Sequence, residues 1–154
     1  MTSSHSAAHE QYIRRCIELA RRALVTSDAP VGALVVLNDR IVAEGIESVR
    51  GRRDVTGHAE IEAVRAACER LDSLNLTGCT LYTSVEPCVM CAYAVRLARV
   101  SRVVAGARSA DAAWALNGWR VLTSGDILPD RPPPSVIRDV LSRECNAVST
   151  EPPA

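Results

Sequence analysis

Lysine and phenylalanine are absent from this chain, and aromatic residues make up only 3% of it. Every basic residue is therefore arginine, which we attribute to genome composition rather than to function. The 18 basic residues meet 18 acidic ones, so the formal net charge is zero. That balance argues against a protein whose main task is to grip phosphate backbones, although a local patch is compatible with it. Long apolar runs are missing too: nothing approaches the stretch of about 20 residues that spans a bilayer. The opening MTSSHSAAHEQ is polar and lacks the apolar core of a secretory signal. A cytoplasmic protein with no membrane contact is the expectation.

What remains is an ordinary globular composition, 47% hydrophobic and 23% charged, in 154 residues. That length suits one domain and suffices for a real hydrophobic core. With no internal repeat or linker in view, a single domain is expected over 10–148, between flexible ends at 1–9 and 149–154. Cysteines stand at 16, 68, 79, 88, 91 and 145, a set that would suggest three bridges in a small secreted protein. Here reduced thiols with one metal site are the better reading, Cys16 and Cys145 being small core residues.

Ile13, Ile17, Ala20 and Leu24 recur at helical spacing within 10–24, with arginines on the other face. Val31 to Leu37 is a nearly continuous apolar run that suits a buried strand. Asn38-Asp39 signals a turn into a second strand, Ile41 to Gly45. The polar stretch 47–57 reads as loop, and His58 opens a helix with Ile61, Val64 and Cys68 on one face. Thr80 to Ser84 has strand composition. Pro87 stands where a helix start tolerates proline, and a helix over 88–100 follows. Val103 to Ala107 is a short strand, and Arg120 to Thr123 is read as a fifth. A last helix is expected from Ser135 to about Val148, with Val136, Val140 and Leu141 inward. Strands alternating with helices after an opening hairpin indicate an α/β sandwich with a mixed sheet.

The residues that carry chemistry are His58-Ala59-Glu60 and Pro87-Cys88-Val89-Met90-Cys91. One imidazole and two thiolates suit zinc. A C-x-x-C step at the first turn of a helix brings both sulfurs toward one point, and the helix N-terminus favours the thiolates. With three protein ligands, the fourth tetrahedral position is left for water, the arrangement of a catalytic rather than a structural zinc. Glu60, two residues beyond His58, is placed to move a proton from that water to a substrate. Two blander readings stand beside this one: a redox cysteine pair, or a closed structural site with Cys68 or Cys79 as fourth ligand.

The pairing H-x-E…P-C-x-x-C is a known signature of zinc deaminases that act on bases. Around it, the chain carries Ala29-Pro30-Val31-Gly32-Ala33, Ile61 after the first motif, the run from Leu81 to Glu86 before the second, and VVAGAR at 103–108. On these residues it resembles the cytidine/deoxycytidylate deaminase superfamily from about Ile13 to Cys145. It is most similar to the branch of guanine deaminases, cytosine deaminases and tRNA-specific adenosine deaminases. The resemblance implies a three-layer α/β/α fold with a five-stranded mixed sheet, usually a homodimer, with the site between the two motif-bearing helices. It further implies attack of a zinc-bound hydroxide on a ring carbon bearing an amino group. Glu60 then protonates the ring nitrogen and the departing ammonia.

For the substrate, a free nucleobase or similar small heterocycle is expected: guanine-, cytosine/isocytosine- or amino-triazine-like. The alternative is adenosine-to-inosine editing of tRNA. Binding tRNA calls for many phosphate contacts. The net charge is zero, and the segment from Ser142 to Ala154 is neither long nor basic. Arg50, Arg52 and Arg53 form the one basic cluster, read as a solvated loop ahead of an RNA clamp. Glu47 stands where the relatives typically have asparagine. A carboxylate can only accept hydrogen bonds, so Glu47 favours a ring that presents N–H donors at that edge; otherwise it turns outward to a loop arginine. Ala59 is expected to offer its backbone N–H to a substrate carbonyl. Trp114 and Trp119 either cover the bound ring or pack in the core. Glu86 is expected to order the metal loop, and Asp111, Asp126 and Glu144 are candidates for a carboxylate that closes the pocket.

Overall fold

Alternation along one strand sets the layers of the molecule. In β1 (Gly32–Leu37), Ala33 and Val35 face one side of the sheet and Leu34 and Val36 the other, and all four are buried. A sheet that is apolar on both faces needs a covering layer on each. The computed structural model, which describes residues 6–109 and 112–154, supplies both. Asn38 and Asp39 take left-handed φ values of 50° and 59°, as a two-residue hairpin turn demands, and return the chain as β2 (Arg40–Ile46). With β3 (Thr80–Val85), β4 (Arg102–Ala107) and β5 (Ser135–Ile137) the sheet runs β2-β1-β3-β4-β5. Antiparallel pairing holds β1 to β2 and β3, and parallel pairing joins β3, β4 and β5.

One face, with Leu34, Tyr82 and Val104, is covered by α1 (Ala7–Ala23) and α6 (Ser142–Ser149). The other, with Val35, Leu81 and Val103, is covered by α3 (Ala59–Arg70) and α4 (Val89–Leu97). Outside α4 lies α5 (Ala112–Thr123), whose Val121 and Leu122 join the same core. A single turn, α2 (Val49–Arg52), sits within the stretch expected to be loop, held by Asp28, which accepts the backbone N–H groups of Arg50 and Gly51. The three-layer fold with a five-stranded mixed sheet is thus present. None of the six cysteines forms a disulfide.

Several boundaries differ from expectation. The first helix starts at Ala7, inside the stretch expected to be flexible, because Ser6 caps it by accepting the N–H of His9, and His9 in turn contacts the Tyr82 hydroxyl. At the other end Glu151 pairs with Arg21 and the N–H of Ala154 reaches the carbonyl of Leu24. The fifth strand is not Arg120 to Thr123, which completes α5 and buries Val121 and Leu122 against α4. It is Ser135–Ile137, immediately after three prolines that lack an N–H and keep the chain extended, at the edge beside β4. The last helix therefore begins only at Ser142, after left-handed residues at Asp139 (φ 61°) and Leu141 (φ 52°).

On α3 the buried stripe is Ala59, Ala63 and Ala67 with Val64, while Ile61 and Cys68 are only half-buried. Small side chains are required there because β2 comes in at backbone distance. A Cβ on Gly45 would lie 2.1 Å from the Ala59 carbonyl and 2.5 Å from the Ala63 nitrogen. Gly45→Ala is accordingly expected to push back the start of α3, lowering stability by about 1–3 kcal/mol and reducing zinc content. Urea denaturation and metal analysis of the purified variant check both.

Candidate active site

Two helix N-termini converge on one point. His58 is the N-cap residue of α3 and Cys88 that of α4, both in extended conformation, with Cys91 in the first turn beyond. The Cys88 sulfur accepts the N–H of Cys91 at 3.5 Å, so a thiol does the capping work usually done by serine or aspartate. The Nδ1 of His58 lies 3.5 Å from the sulfur of Cys88 and 3.5 Å from that of Cys91. All three donor atoms fall within 4.8 Å of one another.

That spacing can be tested against zinc. Bonds of about 2.3 Å to sulfur and 2.0–2.1 Å to nitrogen at a tetrahedral angle separate S and N by about 3.6 Å. The two observed separations match, and the donor set fits the ion. Among the described residues neither Cys68 nor Cys79 joins the group, so the closed four-ligand alternative lacks its fourth thiol. The shared contact with His58 also sets this pair apart from a simple redox couple.

Glu60, in the first turn of α3, is buried behind the ligands. Its Oε1 lies 3.2 Å from the Thr83 hydroxyl, and its Oε2 3.6 Å from the Cys91 sulfur. Burial, with Glu47 and Cys88 nearby, pushes its carboxyl up to about 7. Contact with Cys91 holds the Cys88 thiol well below the usual thiol range, and contact with Cys88 raises His58. Cys91, beside Cys88 and buried, is pushed up.

Glu47 is buried and does not turn out to a loop arginine. Its Oε2 accepts the N–H of Ala59 at 2.9 Å, and its Oε1 lies 4.0 Å from Nε2 of His58, the nitrogen facing away from the sulfurs. The Ala59 N–H expected to meet a substrate carbonyl is therefore engaged by Glu47. Burial raises the Glu47 carboxyl against the pull of that N–H. Trp119 is half-buried with the guanidinium of Arg138 stacked 4.0 Å from its ring centre. Asp126 and Glu144 are exposed and do not line the cavity at Glu60. Asp111 and the side chain of Trp114 lie outside the described residues.

The cavity in front of Glu60 measures about 170 Å³ and is lined by Val31, Glu47, His58, Glu60, Val85, Glu86 and Cys88. In the arginine cluster, Arg52 is paired with Glu62 and Asp54. Sequence reasoning missed three contributors. Thr83 faces Glu60 only through strand register. Arg138 reaches Glu86 from a segment read as helix. Arg96, on α4, is buried and gives its guanidinium to the carbonyls of Val121, Ser124, Leu128 and Arg131.

An α/β/α sandwich with an imidazole and two thiols gathered at two helix N-termini, and a carboxylate behind them, defines the class of zinc-binding deaminase-like domains. The chain belongs to the cytidine and deoxycytidylate deaminase zinc-binding family, whose model matches residues 6–107. It is 39% identical over 95 residues to a tRNA-specific adenosine deaminase of Aquifex aeolicus, covering 62% of this chain and 63% of that protein. It is 41% identical over 108 residues to a guanine deaminase of Bacillus subtilis, covering 70% and 69%. The chain thus spans about two thirds of the length of these relatives. Among solved structures, one from a study of A-to-I editing by tRNA:A34 deaminases superposes with a TM-score of 0.78 at 30% identity, covering 90% of this chain and 98% of the other.

Proposed function

We propose that the protein is a zinc-dependent aminohydrolase acting on a free nucleobase or a similar small amino-substituted heterocycle, of guanine, cytosine/isocytosine or amino-triazine type. The observation that carries this reading is the cavity of about 170 Å³ that places Glu47 and Glu86 beside Glu60 and the ligand set. A wall of acceptors suits a ring rich in N–H donors and repels phosphate. Similarity to a guanine deaminase supports it. The equally close likeness to tRNA-specific adenosine deaminases supports the alternative, editing of an exposed adenosine in tRNA.

In this reading His58, Cys88 and Cys91 hold the ion. Zinc, when bound, supplies Lewis-acid activation of water at neutral pH. Glu60 takes a proton from the attacking water and delivers it to the ring nitrogen beside the reacting carbon. It then carries the second proton to the amino group, which leaves as ammonia, and a carbonyl remains. The Thr83 hydroxyl, shared with the Val85 carbonyl at 2.7 Å, flanks one oxygen of Glu60 while the other faces the ligands. Glu47 keeps the start of α3 fixed through the Ala59 N–H and presents its remaining oxygen toward His58 and the cavity. A homodimer is part of the proposal: Val89, Tyr93 and Leu97 form an exposed apolar stripe at i, i+4 and i+8 on α4.

Ammonia release by zinc-loaded protein, measured over free bases, nucleosides and unmodified tRNA, tests the proposal. Turnover of free bases supports it, and activity confined to tRNA replaces it with the editing reading. Glu47→Asn is expected to alter the ranking of substrates in that panel by about tenfold or more, the effect of removing one charged hydrogen-bond acceptor, with zinc content unchanged. An unaltered ranking would remove Glu47 from substrate recognition.

A further inference from the structure

The wall of the cavity at Glu60 carries three carboxylates, those of Glu47, Glu60 and Glu86. Of their oxygens, one is both open and unengaged. In Glu86, Oε1 accepts from Nε of Arg138, and Oε2 is shut off from water. Glu60 sets Oε1 3.2 Å from the Thr83 hydroxyl and Oε2 3.6 Å from the Cys91 sulfur. In Glu47, Oε2 accepts the Ala59 N–H at 2.9 Å. Its Oε1 accepts no hydrogen bond among the described residues, yet it is not one of the oxygens shut off from water. It lies 4.0 Å from Nε2 of His58, a second residue of the same wall, and so stands at the cavity surface. Donors are scarce there. Apart from His58 and Cys88, the side chains of the wall bring only carboxylates and the methyl groups of Val31 and Val85. The backbone N–H groups of Val31, Glu47, His58 and Glu86 go to the carbonyls of Ala29, Val31, Thr56 and Ala107, and that of Ala59 goes to Glu47.

A ring carbonyl brought against Oε1 of Glu47 sets lone pair against lone pair, whereas an amino group there donates to it. With the Ala59 N–H already taken, such a carbonyl also lacks a compensating donor, and burying it unpaired is costly. We propose that the site selects polyamino heterocycles, rings with a second amino group where guanine or cytosine carries a carbonyl, and that Oε1 of Glu47 reads that group. The proposal rests on the free-base reading and narrows it. Hydrolysis takes place at the other amino group. Its C–N bond breaks and water supplies the oxygen of a new carbonyl. One water proton goes to the neighbouring ring nitrogen and the other to the amine, which leaves as ammonia. The product cannot turn round for a second cycle without setting its new carbonyl against Glu47, so one ammonia is released per ring. Sites built to hydrogen-bond a substrate donor reject the analogue lacking it far more strongly than apolar pockets reject a missing methylene.

The probes are matched pairs: 2,6-diaminopurine and guanine, 2,4-diaminopyrimidine and cytosine, and triamino-triazine and its diamino-oxo counterpart. Each pair exchanges an amino group for a carbonyl with almost no change in bulk. Titration calorimetry on zinc-loaded protein, at a pH where both members are neutral, gives Kd for each, with zinc content measured alongside. In every pair that binds, the polyamino member should bind about 10–100-fold more tightly, the worth of one hydrogen bond to a charged group. Glu47→Gln keeps an oxygen for the Ala59 N–H and turns the other end of the side chain into an amide donor. It should reverse the preference and leave zinc content unchanged. Ammonia counted to completion on the unaltered protein should reach one per ring. Equal affinity within the pairs, or tighter binding of the carbonyl members, overturns the proposal before any variant is made. A preference that survives Glu47→Gln overturns it too, as does release of a second ammonia. Failure of the unaltered protein to bind any of these rings would instead remove the free-base reading beneath the proposal, a result distinct from a lost preference.

Discussion

Glu60→Gln is expected to lower turnover by about 10²–10⁴-fold, the range for removal of a general acid–base group, while zinc content stays at the level of the unaltered protein. Glutamine keeps the shape of the side chain and can still meet the Thr83 hydroxyl 3.2 Å away. It cannot collect a proton from water or pass one on. The three ligand atoms stand on other residues and keep their mutual spacing. Steady-state kinetics on whichever substrate the panel reveals, paired with metal analysis, separates the two quantities. Full loss of zinc would make Glu60 a support for the metal instead of a proton carrier, and near-normal turnover would end the proposed mechanism.

Arg96→Met should destabilise the protein by about 3–5 kcal/mol, summing roughly 1 kcal/mol for each buried carbonyl that loses a charged donor. Arg96 is 1% exposed and has no carboxylate partner among the described residues. Its charge is spread over the carbonyls of Val121, Ser124, Leu128 and Arg131, which end α5 and form the path toward β5. Methionine fills much of the same volume, so the loss measured is mainly that of the hydrogen bonds. Chemical denaturation gives the stability change. Because α5 abuts the Pro87 carbonyl at Gly118, a looser α5 should also reduce zinc retention on dilution. A change below about 1 kcal/mol, ordinary for a surface residue, would mean that the loop carbonyls are satisfied by water instead.

The cluster that could hold a metal is legible in the sequence because its parts are local. C-x-x-C at a helix start and H-x-E at another are each contained within a turn or two, and helix geometry alone aims their side chains. The strands were legible wherever burial on both faces writes an unbroken apolar run, as in β1, or where a turn pair such as Asn38-Asp39 marks the reversal. The C-terminal third was misread for an equally local reason. Arg120 to Thr123 has strand-like composition, and packing against α4 overrides so weak a preference. The stretch after Pro134 has apolar residues at helical spacing, but backbone pairing with β4 takes Ser135–Ile137 first.

The substrate-facing side of the pocket is a different matter. Glu47 was picked out as an unusual residue, yet its buried position and its grip on the Ala59 N–H depend on how β2 closes onto α3. The facing of Thr83 toward Glu60, the hold of Arg138 on Glu86 and the reach of Arg96 across α5 each join residues more than 20 positions apart. From the sequence alone came the family, the kind of ion and the donor set that could hold it, because ligand type and helical spacing are properties of short segments. Only the tertiary structure decided which carboxylates share the cavity and which oxygens remain unengaged, because those depend on the packing of distant elements, and burial is what makes an unpartnered oxygen costly.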